Sequence, residues 1–338
     1  MTRRPIALAL PLLLAMTAAC SGGSKGERGQ AAASTVDSTT TTRLVTGTYP
    51  LTGMPAVDPA KAARRAVTVK IDNNVDARPQ AGVDHADVIY EEFTEGITRF
   101  VVIFQSSDAP QVGPVRSVRP ADPNIVKPLG GPLVFSGGSP AVLGLVRASG
   151  ITLVTENDTD TLKRRAGRSA PHNLYTDTNL LFKKAGTGTP PPSFSPFLRP
   201  GEAVSAAGAL PATMVKLSPA PGVTAAYQWD ATAGLWRRST DGKPHMLEGG
   251  AQISPKNVII QYTRYSGFPA DQKVRFPEVV GSGDALVLVN GMQIKAKWTK
   301  ASVAAVTTYV DAAGKPISLA PGQTWVHMQE IGSPVTVG

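Results

Sequence analysis

The run Thr98-Arg99-Phe100-Val101-Val102-Ile103-Phe104-Gln105 constrains this chain most. A nearly continuous row of β-branched and aromatic residues does not alternate, so it reads as a strand buried on both faces. Such a strand requires a layer above and a layer below the sheet that holds it. Its surroundings say what those layers are. Ala66 to Ile71 alternates as a second strand, and Asp84 to Glu92 reads as helix or strand. Pro132 to Phe135 is a short strand that enters Ser136-Gly137-Gly138-Ser139-Pro140. Ser139 is placed to cap a helix, Pro140 fits its first turn and Gly150 fits just past its end. Ile151 to Thr155 is the next strand. The order strand, helix, strand predicts a mixed α/β sheet with some parallel pairing over residues 44–186. Asp177 to Lys184 is expected as a helix capped by Thr176 and stopped by Gly186.

Residues 187–204 are rich in proline, lack periodicity and read as a linker or wrapping loop. Beyond them, over 205–338, the pattern changes to short strands with turn signals. Asp241-Gly242, Asn290-Gly291 and Ala313-Gly314 mark tight turns, and Asn290-Gly291 gives the clearest hairpin. The fold class predicted is therefore α/β or α+β: an N-terminal mixed α/β sheet domain followed by a mostly antiparallel β C-terminal domain.

Cys20 is the single cysteine of 338 residues, so no internal disulfide exists to staple the fold. Arg3-Arg4, the apolar stretch Ile6 to Met16 and the small residues Thr17-Ala18-Ala19 precede it, which is the pattern of a secretory signal too short to span a bilayer. A cysteine directly after such a segment resembles the lipobox of bacterial lipoproteins, although Thr17 stands where a large aliphatic residue is usual. That resemblance implies removal of residues 1–19, lipidation of Cys20 and anchoring on the extracytoplasmic face of a cell membrane. Two acyl chains suffice for a stable anchor. Residues 20–43 are mainly Ser, Thr, Gly and Ala and read as a flexible stalk.

Residues 1–19 hold two arginines and no acid, so their removal takes the net charge from +9 to +7. A basic surface outside the cytoplasm suits anionic envelope partners, or serves solubility alone. Location and the lack of a basic run interleaved with aromatics argue against nucleic acid. Four scattered histidines give no metal spacing, and no cofactor motif is present.

Three groups of residues are chemical candidates. Arg78, Arg99, Arg116 and Arg119 lie near the ends of predicted strands. Arg116 and Arg119 follow Gly113-Pro114, and two arginines from one turn present paired planar forks to a phosphate or carboxylate. The same pattern fits a buried ion-pair network with Glu91, Glu92, Glu95 or Asp122. Gly137-Gly138-Ser139 offers helix N-terminal amides to an anion, or is a plain cap. Arg168, His172 and Asn173 form the third group. His172 or Glu92 is the candidate acid/base if the chain is an enzyme.

Several ordered motifs together resemble one family. They are Val69-Lys70-Ile71-Asp72-Asn73, Ala77-Arg78-Pro79-Gln80, Ala86 to Glu92, Glu95 to Phe100, Val112 to Arg119 and Ala170-Pro171-His172-Asn173-Leu174-Tyr175. Thr299-Lys300 and Pro321 to Trp325 continue the match. These are similar to the YerB-like bacterial lipoproteins, which pair an N-terminal α/β domain with a β-rich C-terminal domain. The resemblance implies an anchored extracytoplasmic protein and carries no reaction, cofactor or catalytic residue. Three functions stay open: a module binding an anionic envelope ligand or protein partner, an enzyme acting on a phosphate-linked precursor, and a scaffold that adds partner strands to an exposed sheet edge.

Overall fold

The computed structural model describes residues 47–338. The signal, Cys20, the stalk and the expected onset of order at Leu44 lie outside them. Three strands carry the N-terminal half: β1 (Val67–Asp72), β2 (Val88–Thr94) and β3 (Ile97–Phe104). The ambiguous segment before Glu92 resolves into a short 3₁₀ turn at Val83–His85 followed by β2. Side chains along β3 alternate between two cores. Phe100, Val102 and Phe104 enter one, and Val101 and Ile103 enter the other. This is why the apolar run shows no polar face.

The main sheet has 11 strands. Towards one edge, β3 is followed by β1, then β4 (Leu133–Val134) and β5 (Leu153–Val154), the last two joined in parallel. Towards the other, β2 is followed by Thr324–Glu330, Asn257–Thr263, Gly281–Val289, Met292–Lys300 and Thr308–Val310. Thr324–Glu330 pairs in parallel with both neighbours, β2 and Asn257–Thr263. Strands from both sides of the proline-rich segment thus belong to one sheet, and Val45–Gly338 form one compact unit. The proline-rich segment itself lies against that unit. Phe194 and Leu198 are buried, and their amides donate to Pro50 O and Leu319 O at 2.9 Å each.

Each face of the main sheet is covered. Of the helices α1 (Pro59–Ala63), α2 (Asp122–Val126), α3 (Pro140–Ala148) and α4 (Thr178–Ala185), α2 and α3 cover one: Ile125 and Val126 of α2 and Val142 and Val146 of α3 join the core with Val101 and Ile103, whereas Leu181 of α4 joins the opposite core. On the other lies a five-stranded sheet built on Met214–Ala220, Val223–Asp230 and Leu235–Thr240, whose Tyr227 and Trp236 join Phe100 and Trp325. Ser139 caps α3 as expected, its Oγ accepting from Val142 N. The cap of α4 is Asp177 rather than Thr176: the helix starts at Thr178, and the Asp177 carboxylate accepts from Asn179 N at 2.7 Å, where its negative charge also suits the positive helix end. Thr176 ends the strand Leu174–Thr176 and donates to Thr161 O. At the hairpin, Asn290 and Gly291 have φ of 47° and 71°, a type I′ pair, and join Val289 to Met292 in register.

Candidate functional site

Lys70 and Asp72 alternate with Val69 and Ile71 along β1, so they leave the sheet on the helix-bearing face. Arg99 lies opposite Asp72 on one side and opposite Glu92 on the other. Cross-strand pairing therefore sets a row of charges at one end of the sheet. The turn after Gly113-Pro114 closes over this row. Asp72 N donates to Pro114 O at 2.9 Å, and Arg116 N donates to Lys70 O at 2.8 Å. The glycine-rich start of α3 is tied to the same turn, with Val118 N donating to Gly137 O at 2.9 Å and Ser136 N to Arg116 O at 3.0 Å.

Asp72 is buried and holds two side chains. Arg116 Nε stands 3.0 Å from Asp72 Oδ2, an ion pair without hydrogen-bond alignment, and His172 Nδ1 lies 2.8 Å from the same oxygen. His172 Nε2 and the two terminal nitrogens of Arg116 make no hydrogen bond among the described residues. Beside them Arg119 pairs with Glu95, donates from Nε to Thr94 Oγ1 at 2.9 Å and from Nη1 to Val118 O at 2.9 Å. Arg99 reaches Glu95 at 3.4 Å, and its buried Nε has no partner. Burial, and next the guanidinium of Arg119, pulls Arg99 down to about 10. Arg99, Arg116 and Arg119 thus share Asp72 and Glu95, and positive charge is in surplus.

Lys70 makes a separate group. It bonds Glu92 and, at 2.8 Å, Asp122, all three buried. Burial pushes Glu92 up to about 7, against the pull of Lys70 and with the help of Asp122. Glu92 and His172 therefore have different partners and lie in separate groups. Glu92 faces a closed ion triad because β2 is buried on both faces at that point.

The remaining candidates brace the backbone. Arg78 donates to Asn73 Oδ1 at 3.1 Å and Asn73 O at 3.0 Å. Arg168 donates to Ala77 O at 3.0 Å and Pro79 O at 2.7 Å, and pairs with Glu248. Asn173 accepts from Arg164 at 2.8 Å and donates to Arg168 O at 3.2 Å. Ser139 is occupied by its cap. Arg116, Arg119, Arg99 and His172 are brought together; Arg78, Arg168 and Asn173 fix the loops that carry them.

Two features escaped sequence reasoning. Asp72, which organises the site, was signalled only as a charge ending a buried strand. The other is a polar network between the two sheets. Glu91 accepts from Arg238 at 2.8 Å, Trp325 Nε1 at 2.9 Å and Thr98 at 2.8 Å. Arg238 also donates to the Tyr227 hydroxyl, which leaves that O–H for His327 Nε2 at 2.9 Å. His245 continues the chain to Gln80, whose amide donates to Asp72 O at 3.0 Å. The network so ends at the backbone of the site.

Among the described residues no cluster of His, Cys, Asp or Glu is suited to hold a metal ion, and no helix is long and apolar enough to cross a membrane. A mixed sheet with few helices, continued by an antiparallel β-rich region, is an architecture shared with a class of proteins of unknown function. Two family models match in order: "Protein of unknown function (DUF3048) N-terminal domain" over residues 51–189 and "Protein of unknown function (DUF3048) C-terminal domain" over residues 215–326. The chain belongs to this family of YerB-like lipoproteins. It is 28% identical over 286 residues to the candidate lipoprotein YerB of Bacillus subtilis (strain 168), covering 82% of this chain and 85% of that one. The crystal structure of YerB protein from Bacillus subtilis superposes with a TM-score of 0.73 at 25% identity, covering 86% of this chain and 99% of the other.

Proposed function

We propose that this lipoprotein, anchored through Cys20 on the extracytoplasmic face of the membrane, binds an anionic cell-envelope ligand at the Arg99–Arg116–Arg119–His172 cluster. One observation carries the reading: three guanidinium groups share two carboxylates, while Arg116 and His172 keep unpartnered nitrogens. A phosphate or carboxylate group supplies the missing charge and the missing acceptors. The test is thermal unfolding of the chain from Ser21 onward against inorganic phosphate, glycerol 3-phosphate and citrate. A ligand at 100-fold over its dissociation constant adds about 2.7 kcal/mol. A shift in the wild type that Arg116→Ala abolishes supports the site; no shift with any anion refutes it.

A second reading is favoured by the geometry at Asp72. A carboxylate on His172 Nδ1 fixes the imidazole and leaves Nε2 for proton transfer, with Arg116 beside it to hold a developing negative charge. Under this reading the ligand is a phosphate ester that is cleaved. Turnover of a phosphate-ester substrate that His172→Asn removes, with binding of the same ester retained, supports it; wild-type turnover in that variant ends it.

A further inference from the structure

We infer that the ligand is a lipid phosphate, whose head meets the arginine cluster and whose apolar chain lies in a groove along α3; this rests on the reading of the cluster as an anion site. The groove has a volume of 490 Å³, within the ~300–1,000 Å³ typical of small-molecule sites. Pro120 and Pro123 form one wall, Leu145 and Ala148 of α3 a second, and Phe268 and Phe276 of the hairpin Tyr265–Pro277 a third. The lining is overwhelmingly apolar, and Leu145 is 40% exposed within it. Single exposed aliphatics are ordinary; one that faces a continuous apolar groove is not.

One covalent and one hydrogen-bonded connection lead from this groove to the cluster. Pro120 directly follows Arg119. Ser139 caps α3 near the segment Ser136-Gly137 that bonds the Arg116–Val118 turn, and Leu145 lies six residues on, about 9 Å along the axis. Charge and apolar surface are thus adjacent on the same helix-bearing side of the sheet. A free phosphate satisfies only the cluster, and a neutral lipid only the groove. A single molecule with an anionic head and a hydrocarbon tail satisfies both. The charge surplus at one end selects the occupant, because an apolar peptide segment leaves the guanidinium groups unpaired.

The experiment is calorimetric titration of the chain from Ser21 onward, which keeps the whole folded unit Val45–Gly338 and needs no detergent. The probes are dihexanoyl phosphatidic acid below its micellar concentration, glycerol 3-phosphate as the head alone, and dihexanoylglycerol as the uncharged tail. The phosphatidic acid is expected to bind at least ten-fold tighter than either fragment. Leu145→Asn should bring it down to the level of glycerol 3-phosphate without altering the charge of the site, so glycerol 3-phosphate binding serves as the control for a folded protein. Arg116→Ala should weaken both phosphates. Equal affinity for the phosphatidic acid and glycerol 3-phosphate overturns the lipid assignment while the anion site stands. Equal affinity for the phosphatidic acid and dihexanoylglycerol overturns the joint site. Binding by none of the three overturns both readings.

Discussion

Glu91 of the main sheet and Arg238 of the five-stranded sheet meet 2.8 Å apart with neither side chain exposed to solvent. Burial alone pushes the Glu91 carboxyl up, yet Arg238 and His327 outweigh it and hold it at about 2. The pair costs desolvation, so it adds little net stability, but breaking it strands a charge between the sheets. Arg238→Met should lower unfolding stability by about 3–5 kcal/mol. Urea denaturation checks this; a loss below about 1 kcal/mol means that water reaches Glu91.

His327 in the same network sets a pH dependence. Burial, with Arg238 adding to it and Glu91 opposing, lowers it from 6.5 to about 4. The unfolded chain therefore binds a proton that the folded chain refuses between these values. The contribution is fully present above pH 6.5 and lost as pH falls towards 4. Plotted against pH, the stability difference between wild type and His327→Gln should slope by about 1.4 kcal/mol per unit inside that window and be flat above it.

Lys70 lies between Glu92 and Asp122. Lys70→Met leaves two buried carboxyls face to face and should cost about 3–5 kcal/mol. Adding Glu92→Met removes one of them and should restore part of the loss, with a coupling energy above about 1 kcal/mol in the double-mutant cycle. Strict additivity means the three groups do not act together.

Asp72→Asn separates positioning from bulk charge. The change raises the positive surplus but releases Arg116 and His172 from their shared anchor. Glycerol 3-phosphate affinity should fall ten-fold or more, with a stability loss of about 3 kcal/mol. Tighter binding means that the field of the cluster alone attracts the ligand.

Much of the fold was legible because its signals are local. The run Thr98 to Gln105, the Ser139 cap and the Asn290-Gly291 turn each state their conformation within a few residues. Leu235–Thr240 was not, since Arg237 and Arg238 look like a solvated pair although Arg238 points inward. Its partner Glu91 lies 147 residues away, and no local pattern encodes that meeting. The site divides likewise. Arg116, Arg119 and His172 were visible as basic residues in the sequence, whereas the part of Asp72 depends on which loops fold back on the end of β1.

The parallel strand Thr324–Glu330 seated between β2 and Asn257–Thr263 bears on how the chain reaches its native state. It lies more than 200 residues after β2 in sequence, yet it sits in the middle of the widest layer. Until it docks, β2 presents an open edge and the two halves of the sheet have nothing to bridge them. Contacts this distant in sequence make folding slow and late. Loss of Thr324–Glu330 would therefore disable the whole body instead of trimming it, because both neighbouring strands would lose their partner at once.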